Sequence, residues 1–475
     1  MSTSQERPVI VQTLRAYPWS FMGFLFLCLL VPKLYELSWL FWVGRIGADA
    51  LSIAEQQEFL SITIEVINEA AAIGVLSLVA RQTADRTHVL GALWAGLSVC
   101  LVGSGLLSAM LWLSPALCIK AIGTPYALVS ATCTFLRLRA CGLPFDAAAL
   151  VFLATLKALG RAKHALAIVV LGTLLNAGLD LWLISDTRFS WRLGITGMAV
   201  SFVITKVSVC LLAAAFCRSV LQIRSSDVLR GLAVAWPGFL SAGGWAGMDS
   251  LVRNIGYAML LTVLNALGSQ SFAGYGLAMT TIWTGILPVL ALTEGTNVLV
   301  GSLYGQRRHA EIDRTLVVSL LLVLATMGVL ILVGMSNWQG MARFLNPHAQ
   351  VVSASEQVFH MLALAYVLFA LSQILKSLFV GTGRTVNLFV VSVITNGLLV
   401  IPYVLFVRWS GKPPRFSTTM SVFGAAMILD FLLTSALAWH VRRGLERPLA
   451  QNYGDSDQGA GAERTGFTDA LPTGK

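Results

Sequence analysis

The sequence has little charge. Asp, Glu, Lys and Arg make up 12 % of its 475 residues, where a soluble globular chain carries about a quarter. Hydrophobic residues fill 56 % of it, and the mean hydropathy is +0.75. A water-soluble body is excluded, and the chain reads as an all-α polytopic membrane protein. Histidine is also scarce, with six in all, mostly in loops or at the ends of apolar runs. Neither H-E-x-x-H nor G-x-S-x-G occurs, so no zinc-hydrolase or serine-hydrolase site is written in the chain. The seven cysteines form no C-x-x-C and fall mostly inside apolar runs, where they read as small core hydrophobes rather than metal ligands or disulfides. No metal site and no cofactor is expected. Gly381 to Gly383 is a G-x-G with no strand before it, a loop turn and not a phosphate cradle. The net charge of +10 is no nucleic-acid signal, because the basic residues sit in short loops between apolar runs, where they orient helices. No cleavable leader is evident, and the apolar run from about Phe21 is long enough to remain as a helix.

About twelve apolar runs are long enough to cross a bilayer. In the first half they lie near 18–43, 59–80, 89–113, 127–154, 165–184 and 193–217. In the second they lie near 243–267, 271–300, 315–335, 357–380, 386–407 and 418–440. The implied organisation is an N-terminal segment 1–17, an N-lobe 18–225, a linker 226–242, a C-lobe 243–441 and a tail 442–475. The linker region is rich in Gly and Ala and holds Trp236-Pro237. The tail is rich in Gly, Ser, Thr and Asp and reads as largely disordered. Pro144, Pro288 and Pro402 fall inside runs and predict kinks or hinges.

The two halves repeat. VGRIGADALS (Val43 to Ser52) is echoed by LNALGSQSFAGYG (Leu264 to Gly276), and Gly47 and Gly268 lie 221 residues apart. The Gly160-Arg161 and Gly383-Arg384 pairs are separated by 223, and Asn176 and Asn396 by 220. One offset recurring at three separated places is the mark of a membrane transporter built from two parallel repeats.

Orientation follows from the basic residues. With the N-terminus inside, eighteen Lys and Arg fall in inside segments and eight in outside loops. That bias places both termini in the cytoplasm of a cell inner or plasma membrane. The loop with Arg408, Lys412 and Arg415 runs against it.

VGRIGADALS, ALGRAKHALAIVVLGTLLNAGLDLWLI (Ala158 to Ile184), LGITGMAVSFVIT (Leu193 to Thr205) and GSLYGQRRHAEIDRTL (Gly301 to Leu316) resemble the multidrug and toxic compound extrusion (MATE) family. The resemblance covers about residues 17 to 441. It implies two homologous six-helix lobes around a central cavity. It also implies efflux of amphipathic, often cationic, small organic compounds against inward flow of protons or sodium. A single chain in membrane lipid is the expected working unit.

A charged side chain at mid-bilayer costs about 3 kcal/mol even on the mild insertion scale, so buried ionisable residues mark function or pairing. Asn176 and Asp180 stand i, i+4 on one face of the fifth run. They match the family's N-lobe proton network residue by residue. A carboxyl in a low-dielectric setting can load and release a proton near neutral pH, and the same pair also reads as a helix–helix polar clasp. The family's usual aspartate on the first helix is replaced here by Trp39. Glu36 sits one turn earlier, as a displaced proton site or as the i, i+3 partner of Lys33. Trp39 lines a cavity for flat ligands or belongs to an interfacial aromatic belt. Glu65 and Glu69 are i, i+4, and two carboxyls one turn apart repel when both are ionised. Glu69 is a coupling candidate, and Glu65 a cavity or wet mouth residue. In the second half, Asp249 and Arg253 are i, i+4, and Glu294 aligns roughly with Glu69 in the repeat. These three are substrate-cavity candidates, Asp249 and Arg253 also reading as a structural pair. Arg253 falls close to where many relatives keep an acid, and sodium needs several hard oxygen ligands, so the reading prefers proton coupling over sodium. Asp146 and Asp430 are weaker candidates.

Two rivals remain on sequence grounds. A flippase of lipid-linked intermediates from the same superfamily has about fourteen helices, and twelve runs disfavour it. A non-transporting scaffold would leave every buried acid dispensable. The cargo itself, broad drugs or one metabolite, is not written in the sequence.

Overall fold

Each apolar run becomes a helix because a helix satisfies its backbone polar groups within one segment, which hydrocarbon cannot do for it. The computed structural model describes residues 17–46, 48–115, 128–185, 187–222, 235–346, 348–411 and 414–452. Among the described residues they form twelve successive helices and no strand. The first six are α1 (Trp19–Ile46), α2 (Ala48–Arg81), α3 (Arg86–Leu113), α4 (Val129–Ala140 and Leu143–Ala158), α5 (Ala162–Leu183) and α6 (Gly194–Leu221). The next six are α7 (Trp245–Ala266, entered through a π-turn at Leu240–Gly244), α8 (Ser269–Gly305), α9 (His309–Leu345), α10 (Ala349–Thr382), α11 (Val386–Ser410) and α12 (Phe416–Asn452). Nine of these are long and apolar enough to cross a membrane singly, and ten when the two parts of α4 count as one span. Gly47, residues 1–16, most of the expected linker and the chain from 453 lie outside the described residues.

The helices are longer than the apolar runs. The run at 59–80 becomes a helix from Ala48, because ADALSIAEQQEF is polar yet rich in strong helix formers. Likewise α9 starts at His309 and ends at Leu345, ten residues past its run. Hydropathy reports the lipid-facing stretch, and propensity carries the helix beyond it.

The described residues between 23 and 250 form one compact unit, and those of 17–22 and 251–452 form the other. Within the first, one apolar core joins Phe135 and Leu136 of α4, Leu179 and Leu183 of α5 and Met198 and Ala199 of α6. A second joins Cys28 of α1 to Leu156, Ile168 and Ala213. Each unit also holds an ion pair between its fourth and sixth helices. In the first, Lys206 of α6 meets Asp146 of α4 at 2.5 Å. In the second, Lys376 of α10 meets Asp430 of α12 at 2.7 Å, and the Ser372 hydroxyl donates to the other Asp430 oxygen at 2.7 Å. The sign is exchanged between the units.

The repeated Gly-Arg is a repeated helix stop. Gly160 (φ 71°) and Gly383 (φ 75°) both take the left-handed conformation that other residues avoid. After each, the arginine N–H returns to the carbonyl five residues back, Arg161 to Leu156 and Arg384 to Phe379, both at 2.8 Å.

The prolines act differently from one another. α4 bends by 42° where Cys141 and Gly142 leave the helix and Pro144 opens its second part. Pro288 stays inside α8. Pro402 follows a π-helical stretch, Val393–Val400, which contains Asn396.

Candidate functional site

The bend in α4 shapes the wall of a polar cluster in the first unit. A side chain at Gly142 would come within 2.8 Å of the Phe202 ring of α6, so the bend presses directly on that helix. The same ring carries the Arg139 guanidinium 3.8 Å over its face, a cation–π contact that gives this intramembrane charge a partner. Phe202 is next in sequence to Ser201, which faces α5.

There Ser201 meets Asp180. The aspartate is 2 % exposed and follows Leu179, a member of the apolar core of α4, α5 and α6. Ser201 Oγ lies 2.7 Å from Asp180 Oδ1 and 2.8 Å from Asn176 Oδ1. Thr205, one turn further along α6, donates to the same Asn176 oxygen at 3.2 Å. From α1, the Tyr35 hydroxyl donates to Asp180 Oδ2. Three helices therefore converge on one carboxyl, and the side chains bonded to it are neutral hydroxyls.

The proton count in this cluster is informative. A serine hydroxyl has one proton to donate, yet Ser201 sits between two oxygens that both accept when Asp180 is ionised. With Asp180 ionised, Ser201 gives its proton to one of them. With Asp180 protonated, the carboxyl donates to Ser201 and Ser201 donates to Asn176, so both Ser201 contacts are made at once, beside the Thr205 bond that Asn176 keeps in either state. The orientation of the Asn176 amide is assigned from the bonds it makes.

The other sequence candidates are placed as follows. Glu36 is exposed and bonded to Lys33 at 2.7 Å. Tyr35, its neighbour, is the α1 residue that reaches Asp180. The side chain of Trp39 lies outside the described residues. Glu65 is exposed and Glu69 half-buried on α2. Between them Asn68 keeps a buried carbonyl oxygen with no hydrogen-bond partner among the described residues. Asp249 is buried at the start of α7 and Arg253 half-buried one turn later, while Glu294 is half-buried on α8.

Sequence reasoning passed over Tyr35, Ser201 and Thr205. One signal for Tyr35 was available: it lies 222 residues before Tyr257, within the spread of the other repeat offsets. In the second unit Tyr257 neighbours the buried phenols of Tyr275 and Tyr366. No group of three or more His, Cys, Asp or Glu side chains that could hold a metal ion occurs among the described residues.

The MatE family model matches residues 25–182 and 246–406. Among solved structures, the chain is similar to an outward-facing multidrug resistance MATE family transporter of the MOP superfamily. Identity there is 18 % and the TM-score 0.80, over 93 % of this chain and 100 % of the other. It is similar to a Vibrio cholerae MATE transporter, VcmN, at 14 % identity and TM-score 0.81, over 93 % and 99 %. It is also similar to a MOP superfamily transporter from Pyrococcus furiosus, at 18 % identity and TM-score 0.79, over 93 % and 100 %. At these identities the likeness is one of fold. No curated protein matches the sequence.

Proposed function

Because the chain belongs to the MatE family of membrane transporters, we propose that it exports amphipathic, cationic or neutral, small organic compounds, driven by protons entering in exchange. The reading includes both termini in the cytoplasm, a plasma-membrane location and a single chain as the working unit. Its two lobes are the halves that share the 220-residue offset.

One observation carries the proton over sodium: the Ser201 hydroxyl between Asp180 and Asn176. Ser201 serves both Asp180 and Asn176 when the acid is neutral and only one of them when it is ionised, Asn176 then keeping Thr205, so a proton rearranges the cluster. Tyr35 remains bonded to Asp180 in either state, while Ser201 turns from donating toward the carboxylate to accepting from the acid. A proton taken up there removes the cost of enclosing a charge in an apolar core. Release needs water or another acceptor to reach Asp180. Such a group drives alternating access when one state of the transporter holds the proton better than the other, since equal affinity shifts nothing. Sodium is less suited, because the cluster offers one carboxylate and its remaining oxygens are engaged with one another.

The test uses the purified chain in sealed vesicles and a fluorescent amphipathic cation such as ethidium. An imposed pH gradient should drive its accumulation, and a sodium gradient at equal pH on both sides should not. Accumulation driven by sodium alone would overturn the proton assignment.

A further inference from the structure

Away from Asp180, the second unit carries a groove between α9, α10 and α12, at the end where α9 begins and α12 finishes. Its volume is about 460 Å³. The floor is apolar and closed, with Leu316, Leu378 and Ala438 each less than 9 % exposed. Val317 and Trp439 form its open flanks, 46 % and 55 % exposed. Polar lining is concentrated toward the helix ends. Asp313 and Arg314 precede the apolar stretch of α9, and Arg442 follows that of α12. From Arg314 to Leu320 the rise along the helix is about 9 Å. An apolar slot therefore runs inward from a charged mouth.

The charges at the mouth are not balanced. Arg442 is bonded to Asp313 at 3.0 Å. Arg314 is exposed and makes no ion pair among the described residues. Arg443 lies beside the mouth, its guanidinium 4.6 Å over the Trp439 ring. Trp and Arg together at a helix end mark the level of lipid headgroups, and basic pockets between membrane helices there suit anionic headgroups.

We propose that this groove is a binding site for one anionic phospholipid, its phosphate at Arg314 and Arg442 and one acyl chain along Leu316, Leu378 and Ala438. The lining arginines, Arg314 and Arg442, against Asp313 leave one positive charge in the groove, and Arg443 adds a second beside it, so an anionic headgroup is drawn to the mouth. A zwitterionic headgroup brings its own cation to that mouth and gains less. Free phosphate meets the arginines but makes no use of the apolar floor. Bound there, the lipid contacts α9, α10 and α12 together.

The experiment titrates the full-length protein, purified in neutral detergent, with phosphatidylglycerol or phosphatidylcholine and counts retained lipid by native mass spectrometry. Phosphatidylglycerol should be retained at one per chain and at least about tenfold more tightly than phosphatidylcholine, the difference of one charge-assisted contact. Arg314→Gln, at an exposed and unpaired position, should abolish that preference. Val317→Trp should narrow the slot and weaken both lipids, and millimolar inorganic phosphate should not displace phosphatidylglycerol. Equal retention of the two lipids, an unchanged preference in Arg314→Gln, or displacement by phosphate alone would each overturn the proposal.

Discussion

At the scale of single residues, the polar cluster of the first unit makes distinct demands on its members. Asp180→Asn preserves volume and hydrogen bonding but removes the titrating proton, so gradient-driven export should be lost while the protein still reaches the membrane. Full transport by that variant, measured as ethidium accumulation in energised vesicles, contradicts the assignment. Tyr35→Phe removes one hydrogen bond from the carboxyl. Bonds to charged groups contribute about 1.5–3 kcal/mol, so export should fall by about tenfold or more. Ser201→Ala should impair it similarly, and Ser201→Thr, which restores the hydroxyl, should recover much of it. How far this cluster is legible in the sequence depends on the kind of contact. Asn176 and Asp180 are one helical turn apart, and the i, i+4 rule finds them. Lys33 and Glu36 are found by the companion i, i+3 spacing, and the structure pairs them at 2.7 Å. Tyr35 and Ser201 reach Asp180 across 145 and 21 residues. No local spacing connects them, and an isolated hydroxyl in an apolar run looks like any other.

At the scale of helices, the two units use the same devices with different residues. The Gly160 and Gly383 stops superpose in kind: left-handed glycine, then an arginine N–H closing the last turn. Forcing a side chain into that conformation costs about 1–2 kcal/mol. Gly160→Ala and Gly383→Ala should therefore lower the melting temperature by similar amounts, and a loss confined to one of them would deny the equivalence. The ion pairs offer a sharper test. Lys376 and Asp430 are 16 % and 12 % exposed. Removing Lys376 alone leaves a buried carboxylate uncompensated, a loss of about 3–5 kcal/mol. The double variant Lys376→Met with Asp430→Leu should regain most of that, as thermal unfolding in detergent can show. These pairs were visible in the sequence only as isolated charges, because their partners lie 60 and 54 residues apart. The helices themselves were legible because lipid imposes long apolar runs. Their ends were not, since polar helical extensions such as the start of α2 obey propensity and leave no mark in hydropathy.

At the scale of the whole molecule, the duplication is unequal, and that inequality bears on mechanism. The offsets that join Tyr35 to Tyr257 (222) and Asn176 to Asn396 (220) place no acid opposite Asp180: 220 residues on stands Val400, and 222 on stands Pro402. The second unit kept the tyrosine and the asparagine but set the asparagine in a π-helical stretch, close enough to Gly256 that a side chain there would meet it at 2.9 Å. Its own acid on α12, Asp430, is bonded to Lys376 and Ser372. A carboxyl held by a lysine exchanges protons against the loss of an ion pair, whereas Asp180 is held, among the described residues, by hydroxyls alone. Proton coupling should therefore belong to the first unit, and Glu294 on α8 should serve cargo. Two variants separate these roles when binding and flux are measured on the same protein. Asp180→Asn should bind ethidium with affinity close to the parent, by fluorescence anisotropy, yet show no accumulation under a pH gradient. Glu294→Gln should bind it more weakly, with the remaining flux still following the gradient. If Glu294→Gln abolished the response to pH while Asp180→Asn preserved it, the division of labour between the two units would be the reverse of the one argued from their residues.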